Sequence, residues 1–156
     1  MVANPAQTVL TVEEYLAQEE VGEVKHEYVN GHVYAMSGGT LDHDTIANNV
    51  RAALRDHLRG GSCRVFGPDV RLRVSPTIYY YPDSIVVCDD DTLRGTDVEV
   101  TRPHLIAEVL SDSTEAKDRG GKFRDYQTLD GFEEYLLVDS QSRSVERFRR
   151  TERGLW

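Results

Sequence analysis

Residues 104–110, HLIAEVL, place the tightest constraint on what this chain can become. The run follows Pro103, is too short for an ordinary helix, and is apolar at almost every position. Such a run reads as a central strand covered on both faces. Its single carboxylate, Glu108, is then in a place where charge is expensive. A central strand also needs neighbours, and the surrounding sequence supplies them. CRVF, DVRLRV and YYPDSIVV alternate with a period of two and read as three successive strands, broken at Gly67-Pro68 and Ser75-Pro76. EYLLVD and the alternating SVERFRR follow as further strands, and the polar stretch from Asp89 to Arg102 reads as a loop.

The helical signals lie between these strands. Thr11 with Glu14 three residues on is a capping box, and Val12, Tyr15 and Leu16 give a short helix one apolar face. HEYVNGHVYAM puts Asn-Gly between two alternating segments, a strong hairpin signal. Asp42 to Arg59 reads as an amphipathic helix with Ile46, Val50, Leu54 and Leu58 at spacing four. Asp42 or Asp44 is expected to start it, Gly60-Gly61 to end it, and Arg51, Arg55 and Arg59 to face solvent. Ser113 is expected to cap a further helix carrying EAKDRGGKFRDYQTL, weakened by Gly120 and Gly121. The order predicts an α/β protein, a mixed central β-sheet flanked by α-helices.

At 156 residues the chain is most simply one domain, 1–156, long enough to bury a core. It carries 27 acidic against 18 basic side chains, a net charge of −9, which excludes a protein that coats nucleic acid by bulk electrostatics. It does not exclude an enzyme that touches DNA locally through a cation. Arg143–Arg153 runs against the acidic trend, with five arginines and two glutamates. A solvated edge strand and a phosphate-facing strip are both open readings of it. No run approaches the roughly 18 apolar residues needed to cross a bilayer. The opening MVANPAQTVL has no basic region followed by an apolar core, so a cytoplasmic protein is expected. Cys63 and Cys88 are not spaced as a metal pair and are expected to be reduced packing residues. The chain stops soon after its arginine-rich strand, so further strands or a partner chain are expected to complete the sheet edge. A homo-dimer or higher homo-oligomer follows as an expectation.

Two acidic residues contradict the strand logic. Asp83 stands at the head of SIVV and Glu108 inside LIAEVL. An ionised carboxylate in a buried strand costs several kcal/mol unless a charge or hydrogen bonds offset it. A divalent cation is one such partner, since Mg²⁺ takes one or two protein carboxylates and fills its shell with water and phosphate oxygens. Two neighbouring strands offering one carboxylate each at the same height would meet that need. Downstream, Asp118, Lys122 and Tyr126 recur at spacing four and share one helix face, from which Lys122 can reach the same point.

These residues resemble a known family. PD, then ExL, with a lysine on the following helix, is similar to the PD-(D/E)xK nuclease superfamily. More narrowly, the chain resembles the Uma2 family of restriction-endonuclease-like proteins. The match runs in order through LTVEEYL, HEYVNGHVYAMSGG, LDHDTIANNV, VFGPDVRLRV, YYYPDSIVV, LIAEVLSDST, KDRGGKFRDY and EEYLLVD. It implies a restriction-endonuclease-like core with a mostly four-stranded mixed sheet, and a DNA endonuclease that hydrolyses phosphodiester bonds with Mg²⁺ (or Mn²⁺). It maps the metal-binding acids to Asp83 and Glu108, and the hairpin glutamate to Glu27, as a further ligand or water holder. Where the superfamily has lysine two residues after the glutamate this chain has Leu110. The Uma2-like pattern moves the lysine to Lys122, whose expected role is to stabilise charge on the phosphoryl oxygens. Asp118 and Tyr126 are expected to support it. His43 also falls on a recurrent position, where a cap or packing role competes with a catalytic one. Relative to the family, the C-terminal strands are expected to be missing. A non-catalytic, oligomeric or nucleic-acid-binding relative on the same scaffold, and a metal-dependent phosphoesterase acting on a small substrate, are the competing functions.

Overall fold

The structure, a computed structural model, describes residues 9–156. Most of the N-terminal stretch read for a leader lies outside these residues. Two five-stranded sheets, rather than one central sheet, carry the α/β architecture.

The first sheet grows from the hairpin of β1 (His26–Val29) and β2 (His32–Ala35). Its turn is the expected Asn-Gly, with Asn30 at φ 49° and Gly31 at φ 94°, values that glycine adopts freely and asparagine tolerates. Strands β4 (Arg71–Ser75), β5 (Ile78–Tyr80) and β7 (Glu99–Val100) complete it, in the order β2-β1-β5-β4-β7. Helix α1 (Val12–Val21) begins with the expected Thr11–Glu14 capping box and packs Tyr15 against Tyr28 and Tyr79 of this sheet. Strand β7 lies inside the segment read as a loop. It is two residues long and held by parallel pairing to Arg71 and Leu72, too little for periodicity to register.

The second sheet follows the order β10-β9-β8-β6-β3. Its strands are β3 (Arg64–Phe66), β6 (Ser84–Val87), β8 (Leu105–Leu110), β9 (Glu134–Asp139) and β10 (Val145–Arg149). Strand β8 is central, and all six of its residues are buried. On one face, Val86, Leu105, Ala107, Val109 and Val138 meet helix α2 (Leu41–His57). On the other, Ile85, Ile106, Leu110 and Leu137 share a core with Leu72, Tyr80 and Val100 of the first sheet. Each fully buried aliphatic side chain of this kind contributes on the order of 2 kcal/mol.

YYPDSIVV is therefore not one strand. Tyr80 ends β5 in the first sheet and Ser84 starts β6 in the second, so Tyr81, Pro82 and Asp83 carry the chain between sheets. Pro82 has no N–H to give a ladder, and it breaks the pairing where the alternation in sequence looks continuous.

Helix α2 starts at Leu41 with Thr40, not Asp42 or Asp44, as its cap: the Thr40 hydroxyl accepts from the His43 N–H. Arg55 and Arg59 are exposed as expected. Arg51 instead turns inward and donates to the Asp83 carbonyl at 2.8 Å. The later helical segment comprises α3 (Glu115–Lys117), a widened π-type turn over Asp118–Lys122, and α4 (Phe123–Tyr126). It is preceded by Thr114, not Ser113, and no side chain caps it. Gly120 and Gly121 sit inside the π-type turn, where a poor helix former tolerates the wider backbone.

Cys63 and Cys88 are joined as a disulfide, contrary to the expectation of free thiols. Cys63 precedes β3 and Cys88 follows β6. The antiparallel register of Arg64 with Val87 sets the two cysteines face to face, although 25 residues separate them in sequence. The arginine-rich β10 is an edge strand whose Arg147 and Arg149 reach Glu134 at 3.9 and 3.4 Å. Among the described residues no helix is long and apolar enough to cross a membrane.

Candidate functional site

The register of the second sheet decides how the carboxylates meet. Ser84 pairs with Ala107 in the antiparallel β6–β8 ladder, so Asp83, one residue earlier, stands opposite Glu108. Each carboxylate is fixed by the other's backbone: the Asp83 N–H donates to Glu108 Oε2 at 3.2 Å, and the Val109 N–H donates to Asp83 Oδ2 at 2.8 Å. Asp83 is partly open, with its side chain 18 % exposed, whereas Glu108 is buried. From α2, His43 Nε2 approaches Asp83 Oδ2 at 3.4 Å and the Val109 carbonyl at 3.1 Å. Gly39 permits this approach, since a Cβ there would stand 2.8 Å from His43 Nδ1.

The helical segment closes the site from the other side. Lys122 Nζ donates to Glu108 Oε1 at 3.1 Å, and Tyr126 donates to the same oxygen at 2.8 Å. Lys122 Nζ also lies 2.9 Å from Glu27 Oε1 and 3.4 Å from Asp118 Oδ1. The Asp118 contact is electrostatic without being aligned as a hydrogen bond, which leaves Oδ1 of a buried aspartate without a donor. Glu27 arrives from β1, and its second oxygen takes the ammonium of Lys117. Asp83, Glu108, Lys122 and Glu27, scattered over 96 positions of sequence from 27 to 122, thus form one connected cluster. Asp118 and Tyr126 join it as direct partners of Lys122 and Glu108.

Electrostatics follow from three carboxylates gathered around one buried ammonium, with Asp83 beside Glu108. Burial works against the charge on Lys122, but Glu108, Glu27 and Asp118 outweigh it and push its pKa well above the usual lysine value. Burial would raise the Glu27 carboxyl, yet Lys122 and Lys117 hold it below the ordinary range. Glu108 goes the other way. Its burial raises its pKa to about 8, with Asp118, Asp83 and Glu27 adding to the rise against the pull of Lys122. Asp118 is raised for the same first reason, burial. The His43 imidazole is raised by its contact with Asp83, against a smaller opposing effect of burial.

A cavity of about 200 Å³ opens over this cluster. Its walls include Asp83, Glu108, His43, Lys117 and hydroxyls of Ser37 and Ser111.

A family model described as "Putative restriction endonuclease", Uma2, matches residues 12–156. The chain belongs to the Uma2 family. Two similar proteins come from Synechocystis sp., and both are described as uncharacterized. The first, slr1290, is 40% identical over 148 residues, covering 94% of this chain and 77% of its own length. The second, sll1609, is 31% identical over 150 residues, covering 95% of this chain and 85% of its own. A crystal structure from Anabaena variabilis, described as "a putative nuclease belonging to DUF820", superposes with a TM-score of 0.72. The match covers 90% of this chain and 79% of that one at 17% identity, so what it shows is a shared fold.

The donor set fits a divalent cation of the kind the Uma2 resemblance implies. Asp83 and Glu108 supply hard oxygens at facing register positions, and burial of the Glu108 carboxyl, which raises its pKa, is a cost that a bound cation would offset. Among the described residues no group of three or more His, Cys, Asp or Glu forms a cage for a metal. A two-carboxylate Mg²⁺ site does not require one. Glu27 fits less well as a third ligand, because both its oxygens already face cations, whereas Oε2 of Glu108 receives a neutral backbone N–H.

Sequence reasoning gave little weight to Lys117 and Arg51. Lys117 lies on a turn too short to show a face, and Arg51 looks like one of a solvated series with Arg55 and Arg59. The signal that could have found Arg51 is its place one turn beyond Ala47, the buried residue of α2.

Proposed function

We propose that this Uma2 protein is a divalent-metal-dependent DNA endonuclease that hydrolyses phosphodiester bonds. The observation that carries the reading is the Asp83–Glu108 pair, brought opposite each other by the β6–β8 register and lining one cavity. A bound Mg²⁺ or Mn²⁺ would supply Lewis-acid polarisation of phosphoryl oxygens and a more acidic water. Asp83 and Glu108 would hold it. The chain's own residues perform the remaining work. Tyr126 and Lys122 fix Oε1 of Glu108, so the carboxylate is oriented before any ligand arrives. Arg51 anchors the Asp83 carbonyl and thereby the approach of β6. His43 Nε2 faces the Val109 carbonyl and Asp83 Oδ2, so it would act as a donor that steadies the Asp83 carboxylate at the cavity wall.

The test is nicking of supercoiled plasmid with Mg²⁺ or Mn²⁺, comparing wild type with Asp83→Ala and Glu108→Gln. Metal-dependent nicking that drops at least a hundredfold in both variants supports the reading. Wild-type protein without metal-dependent cleavage, or variants as active as wild type, would sink it. A second reading, a phosphoesterase for a small substrate, draws on the modest cavity and the net charge of −9. Turnover of a small aryl phosphodiester that excess plasmid does not inhibit would favour it. The cytoplasmic location and a homo-oligomeric state belong to this proposal as well, checked by cell fractionation and by light scattering.

A further inference from the structure

We infer that Lys117, and not Lys122, is the cation that meets the substrate's phosphodiester oxygens. The inference rests on the phosphodiesterase reading above and reassigns one role within it.

Lys122 is already committed. Its ammonium donates to Glu108 at 3.1 Å, pairs with Glu27 at 2.9 Å, and has Asp118 Oδ1 at 3.4 Å as a further ion-pair partner. Its side chain is 8 % exposed. Turning it toward a phosphate would strip buried carboxylates of their counter-ion, a loss comparable to breaking a buried ion pair. Lys122 is therefore a positioning residue that keeps Glu108 and Glu27 in place.

Lys117 lies five residues earlier, at the end of α3, and its side chain is 28 % exposed. It lines the same cavity as Asp83 and Glu108. Among the described residues its hydrogen-bond partner is Glu27, which receives it on Oε2 while Oε1 receives Lys122. The rings of Tyr34 and Tyr80 flank the ammonium at 4.8 and 5.5 Å from their centroids. Two aromatic faces and one carboxylate hold the charge in position by attractions that do not exhaust its donors. Lys117 lines the cavity with Asp83 and Glu108, so a phosphodiester oxygen held there by a cation on those carboxylates would meet an ammonium with donors to spare. Glu27 then acts as the link between the two lysines. One lysine serves the carboxylates and the other serves the substrate.

The experiment measures binding of a short DNA duplex by fluorescence anisotropy over a salt series, with Ca²⁺ replacing Mg²⁺, beside plasmid nicking in Mg²⁺. Lys117→Gln keeps a donor for Glu27 but removes the charge, and Lys117→Arg keeps the charge. The expected result for Lys117→Gln is about tenfold weaker binding and a log K against log salt slope reduced by about one. Its melting temperature should stay close to wild type, and Lys117→Arg should recover both affinity and slope. Wild-type affinity and slope in Lys117→Gln would overturn the inference, as would a wild type that binds no duplex. If wild type shows no metal-dependent nicking while the slope change persists, the nuclease reading fails and the phosphate contact of Lys117 stands. If nicking needs metal and Asp83 but Lys117→Gln binds and nicks normally, Lys117 alone is excluded.

Discussion

Two buried clusters in this protein use tyrosine hydroxyls in opposite ways. Under α1, Tyr15, Tyr28 and Tyr79 pack ring to ring, with the closest centroids 4.8 Å apart. The hydroxyls of Tyr15 and Tyr28 end on the carbonyls of His26 and Leu10, both at 2.8 Å. In both bonds a neutral donor meets a neutral acceptor. In the second sheet, the Tyr126 hydroxyl instead ends on Glu108, one of several carboxylates crowded around Lys122. That cluster sets ionisable groups against one another, and burial holds the Glu108 proton up to a pH of about 8. The first arrangement supplies cohesion alone, whereas the second brings strongly shifted pKa values together, as functional sites do.

The comparison can be broken by removing charge from one cluster and a hydroxyl from the other. Lys122→Met should have the largest effect, lowering stability by about 3–5 kcal/mol in urea denaturation, because buried carboxylates lose their counter-ion. A loss below 1 kcal/mol would show that the cluster is not electrostatically closed. Glu108→Gln should act through pH. The Glu108 pKa in the folded protein is about 8 against an ordinary 4.5. Between those pH values the folded state holds a proton that the unfolded chain has released, so wild-type stability falls as pH rises through that window. The variant should show a flatter profile between pH 5 and 8, and an unchanged slope would contradict the raised pKa. Tyr15→Phe removes one neutral hydrogen bond and should cost about 1 kcal/mol with no change in the pH profile. Gly39→Ala should be smallest in stability. Its new methyl displaces His43 from Asp83, so the imidazole pKa, followed by NMR titration, should fall back toward that of a free histidine.

How much of this was legible beforehand depends on whether the cause was local. The Asn30-Gly31 turn and the Thr11–Glu14 box were readable because each is decided within four residues. Glu108 was readable because a carboxylate inside LIAEVL contradicts its own neighbours, and Lys122 because four-residue spacing survives even the π-type turn. The break at Pro82 was not readable as a change of sheet. Alternation reports that a residue is extended, not which ladder receives it. The Cys63–Cys88 pairing depends on the register of β3 with β6, a tertiary fact without a local pattern. Thr40 took the cap that Asp42 and Asp44 also qualified for, since several good caps in a row leave the start ambiguous by a turn. Lys117 was hidden for a different reason. Its importance comes from what Lys122 cannot do, and that appears once the carboxylates are in place.

The passage from β5 to β6 through Tyr81, Pro82 and Asp83 has a mechanical consequence. A stiff proline tether of three residues leaves almost no slack between the sheets. Sliding one sheet across the other therefore pulls on Asp83 through this tether, and on Glu108 less directly, through the Glu27–Lys122 ion pair. The distance between the two carboxylates becomes a gauge of how the sheets are seated, and a load applied to the tyrosine-rich half of the molecule is read out at its charged end.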